Sequence, residues 1–106
     1  MTVLKKSDYS WEELIQKIKG SSFKGDFIMP YDELLQILGE PSFDGDGFKV
    51  DVEWIIETPH GIATVYNYKN GPSYQGHGTI DEIRGWHIGS RSVPATAYVL
   101  QMLDNV

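Results

Sequence analysis

Phe48-Lys49-Val50-Asp51-Val52-Glu53-Trp54-Ile55-Ile56-Glu57 is the stretch that decides the fold class. Apolar side chains recur there at every second residue, placing Phe48, Val50, Val52, Trp54 and Ile56 on one face and Lys49, Asp51, Glu53 and Glu57 on the other. That period predicts a strand over residues 48–57, with Ile55 exposed on the charged face. Pro59-His60-Gly61 supplies a turn, and residues 62–69 resume an extended pattern rich in β-branched and aromatic side chains. The two runs read as a hairpin over residues 48–69.

Upstream, Trp11, Leu14, Ile15 and Ile18 recur at helical spacing after Asp8 or Ser10 as cap, and Gly20 stops the run. Residues 21–25 read as loop, and Phe23, Phe27, Ile28 and Met29 as a short extended piece. Pro30 opens a second helix over residues 30–38, carrying Leu34, Leu35, Ile37 and Leu38, which Gly39 and Pro41 close. Downstream, residues 70–79 hold three glycines and one proline and form the longest loop. Thr79 and Glu82 resemble a capping box for a brief helical turn. Residues 84–89 suit a third strand, and Ser92 caps a last helix carrying Val93, Ala97, Leu100 and Leu103. The expected fold is α+β: an antiparallel three- or four-stranded sheet with a central long hairpin, packed on one face by N-terminal and C-terminal helices.

A chain of 106 residues and 12.0 kDa fits a single domain over residues 1–106. With 41% apolar and 12% aromatic residues it can bury a core. No apolar run approaches the roughly 20 residues that cross a bilayer, and residues 1–20 carry charges where a signal peptide needs an apolar stretch. A cytoplasmic protein with no membrane partner is expected. The absence of cysteine removes disulfides, thiolate zinc sites and cysteine nucleophiles. The net charge of −6 gathers in residues 25–57, which carry −8 against +2 before them and 0 after. Such a segment repels nucleic acid and attracts basic protein surfaces.

Motifs for catalysis or metal binding are missing. Asp44-Gly45-Asp46-Gly47 lacks the further ligands of a calcium loop, and His60, His77 and His87 are too dispersed for a metal centre. His77-Gly78-Thr79 has no second copy to complete a two-histidine phosphoesterase, and there is no nucleophile elbow, P-loop or dinucleotide fingerprint. The expectation is a non-enzymatic protein without metal or cofactor.

Two groups of residues stand out. Tyr68, Lys69, Tyr74, Arg84, Trp86, His87 and Arg91 mix rings that stack on a flat ligand with cations that neutralise phosphate. Here Lys69, Arg84 and Arg91 would meet phosphate, Tyr68, Tyr74 or Trp86 would stack on a base, and His87 would donate a hydrogen bond; alternatively Trp86 completes a core with Trp54. The second group is Asp44, Asp46, Asp51, Glu53 and Glu57, a carboxylate face that could mimic phosphate for a basic nuclease or another basic defence protein. The exposed Ile55 expected beside it points to a homodimer.

Glu53-Trp54, Gly61 and Ala63, Val65-Tyr66-Asn67-Tyr68-Lys69 and Trp86-His87-Ile88-Gly89 together resemble a core pattern of small, largely uncharacterised accessory proteins of bacteriophages and other DNA viruses. Residues 34–41, a helix ending in Leu-Gly-x-Pro, resemble the lead-in of the same group, and the likeness spans residues 32–90. The resemblance brings no catalytic residues. It implies an infected host cell, in which a small acidic protein sequesters a nucleotide-derived defence signal or inhibits a host defence protein.

Overall fold

The computed structural model describes residues 2–104. The chain runs β1 (Thr2–Val3), α1 (Trp11–Ile18), β2 (Ser22–Ile28), α2 (Tyr31–Leu38), β3 (Glu53–Thr58), β4 (Gly61–Tyr66), α3 (Pro72–Gln75), a 3-10 turn (Ile80–Glu82), β5 (Gly85–Ser90) and α4 (Val93–Asp104). The fold is α+β, but the sheet has five strands in the order β1-β3-β4-β5-β2, all neighbours antiparallel. The added members are its two edges. β1 is only two residues long, and β2 is the extended piece around Phe23 and Phe27, lengthened to Ser22 because the whole segment pairs with β5.

The hairpin forms at the expected turn, with Thr58 opposite Gly61, yet its first strand is shorter than the apolar period indicates. Side-chain oxygens explain the difference. One carboxylate oxygen of Asp46 accepts from the amides of Phe48, Lys49 and Val50 at 2.9, 2.9 and 3.0 Å, and the Asn67 side-chain carbonyl accepts from Asp51 and Val52 at 2.8 and 3.1 Å. Every amide from residue 48 to 52 is thus bonded to a side chain rather than a neighbouring strand. A strand reading based on apolar period alone cannot register that competition.

Helices cover both faces of the sheet, which corrects the expected one-sided packing. On one face Leu34 and Leu38 of α2 and Ala95, Val99 and Leu103 of α4 pack over Trp54, Ile56, Ala63, Val65, Trp86 and Ile88. On the other, Leu14 of α1 packs with Leu4, Phe43 and Ile55. Ile55 is therefore fully buried, not exposed, and the reason to expect a dimer through it disappears. The inward stripe of α4 also differs from expectation: Val93 and Ala97 face solvent, while Ala95, Thr96, Val99 and Leu103 point inward.

Local chemistry fixes the helix ends. Ser10 caps α1 in a reciprocal box with Glu13, and the same device, Thr79 with Glu82, starts the 3-10 turn. The two buried tryptophans meet edge to face at 5.4 Å, and each indole N–H has an acceptor at 2.8 Å, Gly39 O for Trp54 and Met29 O for Trp86. Ser42 joins the β1 edge to the sheet: its hydroxyl donates to Leu4 O at 2.7 Å and accepts from Ile55 N at 2.8 Å. Among the described residues no helix is long and apolar enough to cross a membrane.

Candidate functional site

Beyond the end of α1, the sheet face that this helix half covers carries a chain of aromatic rings. Strand alternation puts Thr64 and Tyr66 of β4 and His87 of β5 on this side, because Val65, Trp86 and Ile88 point into the opposite core. The His87 ring lies 4.9 Å from Phe23, 5.7 Å from Tyr66 and 5.6 Å from Tyr68, the last nearly parallel at 30°. Lys69 Nζ then sits 5.4 Å from the Tyr68 ring and 5.5 Å from the Tyr74 ring. Tyr74 stacks on Phe48 at 5.9 Å, with Lys49 Nζ 5.6 Å from the Phe48 ring. Phe23, Phe48, Tyr68 and Tyr74 are all exposed, which is unusual for rings of this size unless something covers them.

The backbone that presents these rings is held firmly. Lys69 is a non-glycine residue with φ 59°, a left-handed conformation costing about 1–2 kcal/mol. Its amide bonds Lys49 O at 2.8 Å, which ties the Tyr68–Tyr74 segment to the Phe48 loop. Asp51 anchors the glycine-rich stretch from inside. Its carboxylate accepts from Asn67 Nδ2 at 2.8 Å, Ser73 N at 3.0 Å and Ser73 Oγ at 2.5 Å, at the start of α3. The long loop read from the sequence is therefore interrupted by a four-residue helix that carries Tyr74. Gly71 has no room for a side chain: a Cβ there would lie 2.0 Å from Asp51 Oδ2 and 2.8 Å from Asn67 Nδ2.

Of the ring-and-cation group expected from sequence, Tyr68, Lys69, Tyr74 and His87 come together. Trp86 does not join them, because its side chain is fully buried in the core with Trp54. Arg84 and Arg91 flank β5 at opposite ends, roughly 23 Å of extended chain apart, so they cannot clamp one phosphate. Arg91 instead donates through Nε to Lys19 O at 2.7 Å, and through Nη2 to the same carbonyl, closing off the chain after α1. Sequence reasoning missed Phe23, Phe48 and Lys49. Phe48 was read as a core residue, and Phe23 lies far from the others in sequence and reaches them only through β2–β5 pairing.

The expected carboxylate face does not assemble. Asp51 and Glu53 are buried at 6% and 8% exposure, while Asp44, Asp46 and Glu57 remain exposed. Partial burial pushes the Asp46 carboxyl up, but its amide donors outweigh this and hold it below the usual carboxylate value. Glu53 goes the other way. Burial pushes its carboxyl up to about 7, against a lowering hydrogen bond from Thr64 and with a further push from the charge of Asp46.

Glu53 lines a cavity of about 170 Å³ between the end of α1 and the open sheet face, together with Ser21, Phe23, Thr64 and Tyr66. A second cavity of about 190 Å³ lies at the other end of β5, lined by Asp26, Ile28, Asn70 and His87. A larger one of about 410 Å³, near Lys5, Lys6, Leu38 and Glu40, has no aromatic wall. Among the described residues no three His, Asp or Glu side chains gather as a metal set. In comparison with known protein families, curated proteins and solved structures, the chain matches none.

Proposed function

We propose that this protein is a non-enzymatic binding protein whose aromatic and lysine surface captures a small nucleotide-like ligand. One observation carries the reading: two runs of rings, Phe23–His87–Tyr68 and Tyr74–Phe48, bridged by Lys69 and flanked by Lys49. Rings accept a base by stacking, worth about 1–3 kcal/mol per base, and lysines beside them neutralise phosphate as point charges. Lys69 keeps the phosphate role expected of it, and Lys49 takes the place of Arg84 and Arg91. In the phage setting that the resemblance implies, such binding would sequester a nucleotide-derived defence signal in the host cytoplasm.

A thermal-unfolding screen against simple nucleotides, cyclic dinucleotides and cyclic ADP-ribose-type compounds tests the reading. A ligand present at 100 times its dissociation constant adds about 2.7 kcal/mol of stability. The reading expects at least one such ligand to raise the midpoint for the wild type and not for Tyr68→Ala. No shift with any of them contradicts it.

A further inference from the structure

The cavity at Glu53 adjoins the ring succession without being part of it. Phe23 and Tyr66 form two of its walls, and both rings also lie against His87, at 4.9 and 5.7 Å. At about 170 Å³ it falls below the 300 Å³ or more of sites that enclose a drug-sized ligand, so it admits one planar ring or one side-chain head while the rest of the ligand stays outside.

Its polar equipment is specific. The Thr64 hydroxyl donates to Glu53 Oε2, which fixes the carboxyl orientation and leaves further lone pairs for a ligand. Gly89 keeps one wall open, since a Cβ there would stand 3.2 Å from the Thr64 methyl and 3.3 Å from Ser22 O. An acidic group in an aromatic-walled cavity calls for an occupant that presents N–H donors.

We infer that this cavity reads the base of the ligand, accepting on the Glu53 carboxylate a ring edge with two adjacent N–H donors, as guanine presents. Guanine offers its ring N–H and amino group side by side, the geometry that a carboxylate receives through two parallel hydrogen bonds. Adenine and cytosine place a ring acceptor beside the amino group, which sets lone pairs against the carboxylate. Uracil has a single N–H between two acceptors. The inference rests on the nucleotide reading above and adds which base is chosen.

Calorimetric titration of the full chain with guanosine, inosine and adenosine monophosphates at pH 8 tests it, that pH lying above the raised value of the Glu53 carboxyl. Guanosine monophosphate is expected to bind at least about tenfold more tightly than adenosine monophosphate, with inosine monophosphate between them. Glu53→Gln should still bind nucleotide but bring the guanosine and adenosine affinities within about twofold of each other. Thr64→Val, which removes the hydroxyl that orients the Glu53 carboxyl, should narrow the preference for guanosine monophosphate and serves if the Glu53 variant folds poorly. Wild-type affinities for the two nucleotides within twofold, or a tenfold preference surviving in both variants, overturns the inference and leaves the binding surface standing. No heat with any nucleotide removes the binding surface itself.

Discussion

The imidazole of His87 lies 5.6 Å from the Tyr68 ring with the two planes 30° apart. His87 stands within β5 and Tyr68 just beyond the end of β4, so the stack spans two paired strands and is positioned by their hydrogen-bonded register, in which Tyr66 lies opposite His87. Rings held by a sheet in this way lose little freedom when a third ring is added, the condition under which stacking contributes to affinity rather than to ordering.

Tyr68→Ala should weaken binding of a ligand with two bases, such as a cyclic dinucleotide, by at least about tenfold, from the 1–3 kcal/mol that a stacked base contributes. Tyr68→Phe should stay close to wild type, because the ring and not the hydroxyl is used. Both variants should unfold within about 0.5 kcal/mol of wild type, since Tyr68 is 38% exposed. Titration calorimetry paired with urea unfolding separates the two quantities; a large stability loss without a binding loss would mean that Tyr68 is structural.

Lys69→Asn tests charge without disturbing the backbone, because asparagine tolerates the left-handed conformation that Lys69 adopts at φ 59°. Stability should change by less than about 0.5 kcal/mol, while affinity for a nucleoside monophosphate should fall and its salt dependence flatten. Affinity unchanged at low ionic strength would assign phosphate contact elsewhere.

Stability should vary with pH through Glu53. Its folded-state value of about 7 stands above its ordinary 4.5, so the folded protein holds this proton more tightly than the unfolded chain does. The stabilisation is complete below pH 4.5 and is lost as pH rises through 7, amounting to about 3 kcal/mol at most. Glu13 and Asp46, held below their ordinary values, act in the opposite sense and lose their contribution as pH falls. Glu53→Gln leaves those two in place, so the difference between the urea curves of the two proteins isolates Glu53. That difference should grow in favour of the glutamine between pH 5 and pH 8, and a constant difference would contradict the buried-acid account.

Gly71→Ala should destabilise the fold by about 1–3 kcal/mol, since its methyl group would collide with Asp51 Oδ2. By displacing α3, which carries Tyr74, it should also weaken ligand binding. Asp51→Ala should reproduce both effects by removing the acceptor for Asn67 and Ser73. Equal binding in all three proteins would show that the position of Tyr74 is immaterial.

Local signals made the helices and the hairpin turn legible in the sequence: Ser10 before an apolar stripe, Pro30 before another, and Pro59-His60-Gly61 between two extended runs. The edge strand β2 was harder to read, because its burial alternates weakly and its pairing with β5 depends on chain 57 to 68 residues away. The same physics governs the site. Tyr68, Lys69 and Tyr74 are close in sequence and could be grouped by type, whereas Phe23 joins them only through the sheet. Trp86 follows the core alternative and Glu53 departs from the exposed face expected for it. Trp86 turned inward with the β5 alternation, and Glu53 was buried because α1 covers a face that its charges had marked as exposed.

Mapping of amide and aromatic NMR shifts during titration with guanosine monophosphate at pH 8 addresses the central claim most directly. The account predicts saturable shifts clustered at Phe23, Tyr66, Tyr68, Tyr74 and His87, continuing into Glu53 and Thr64. Absence of saturable shifts, or shifts confined to the cavity near Lys5, Lys6 and Glu40, would contradict it.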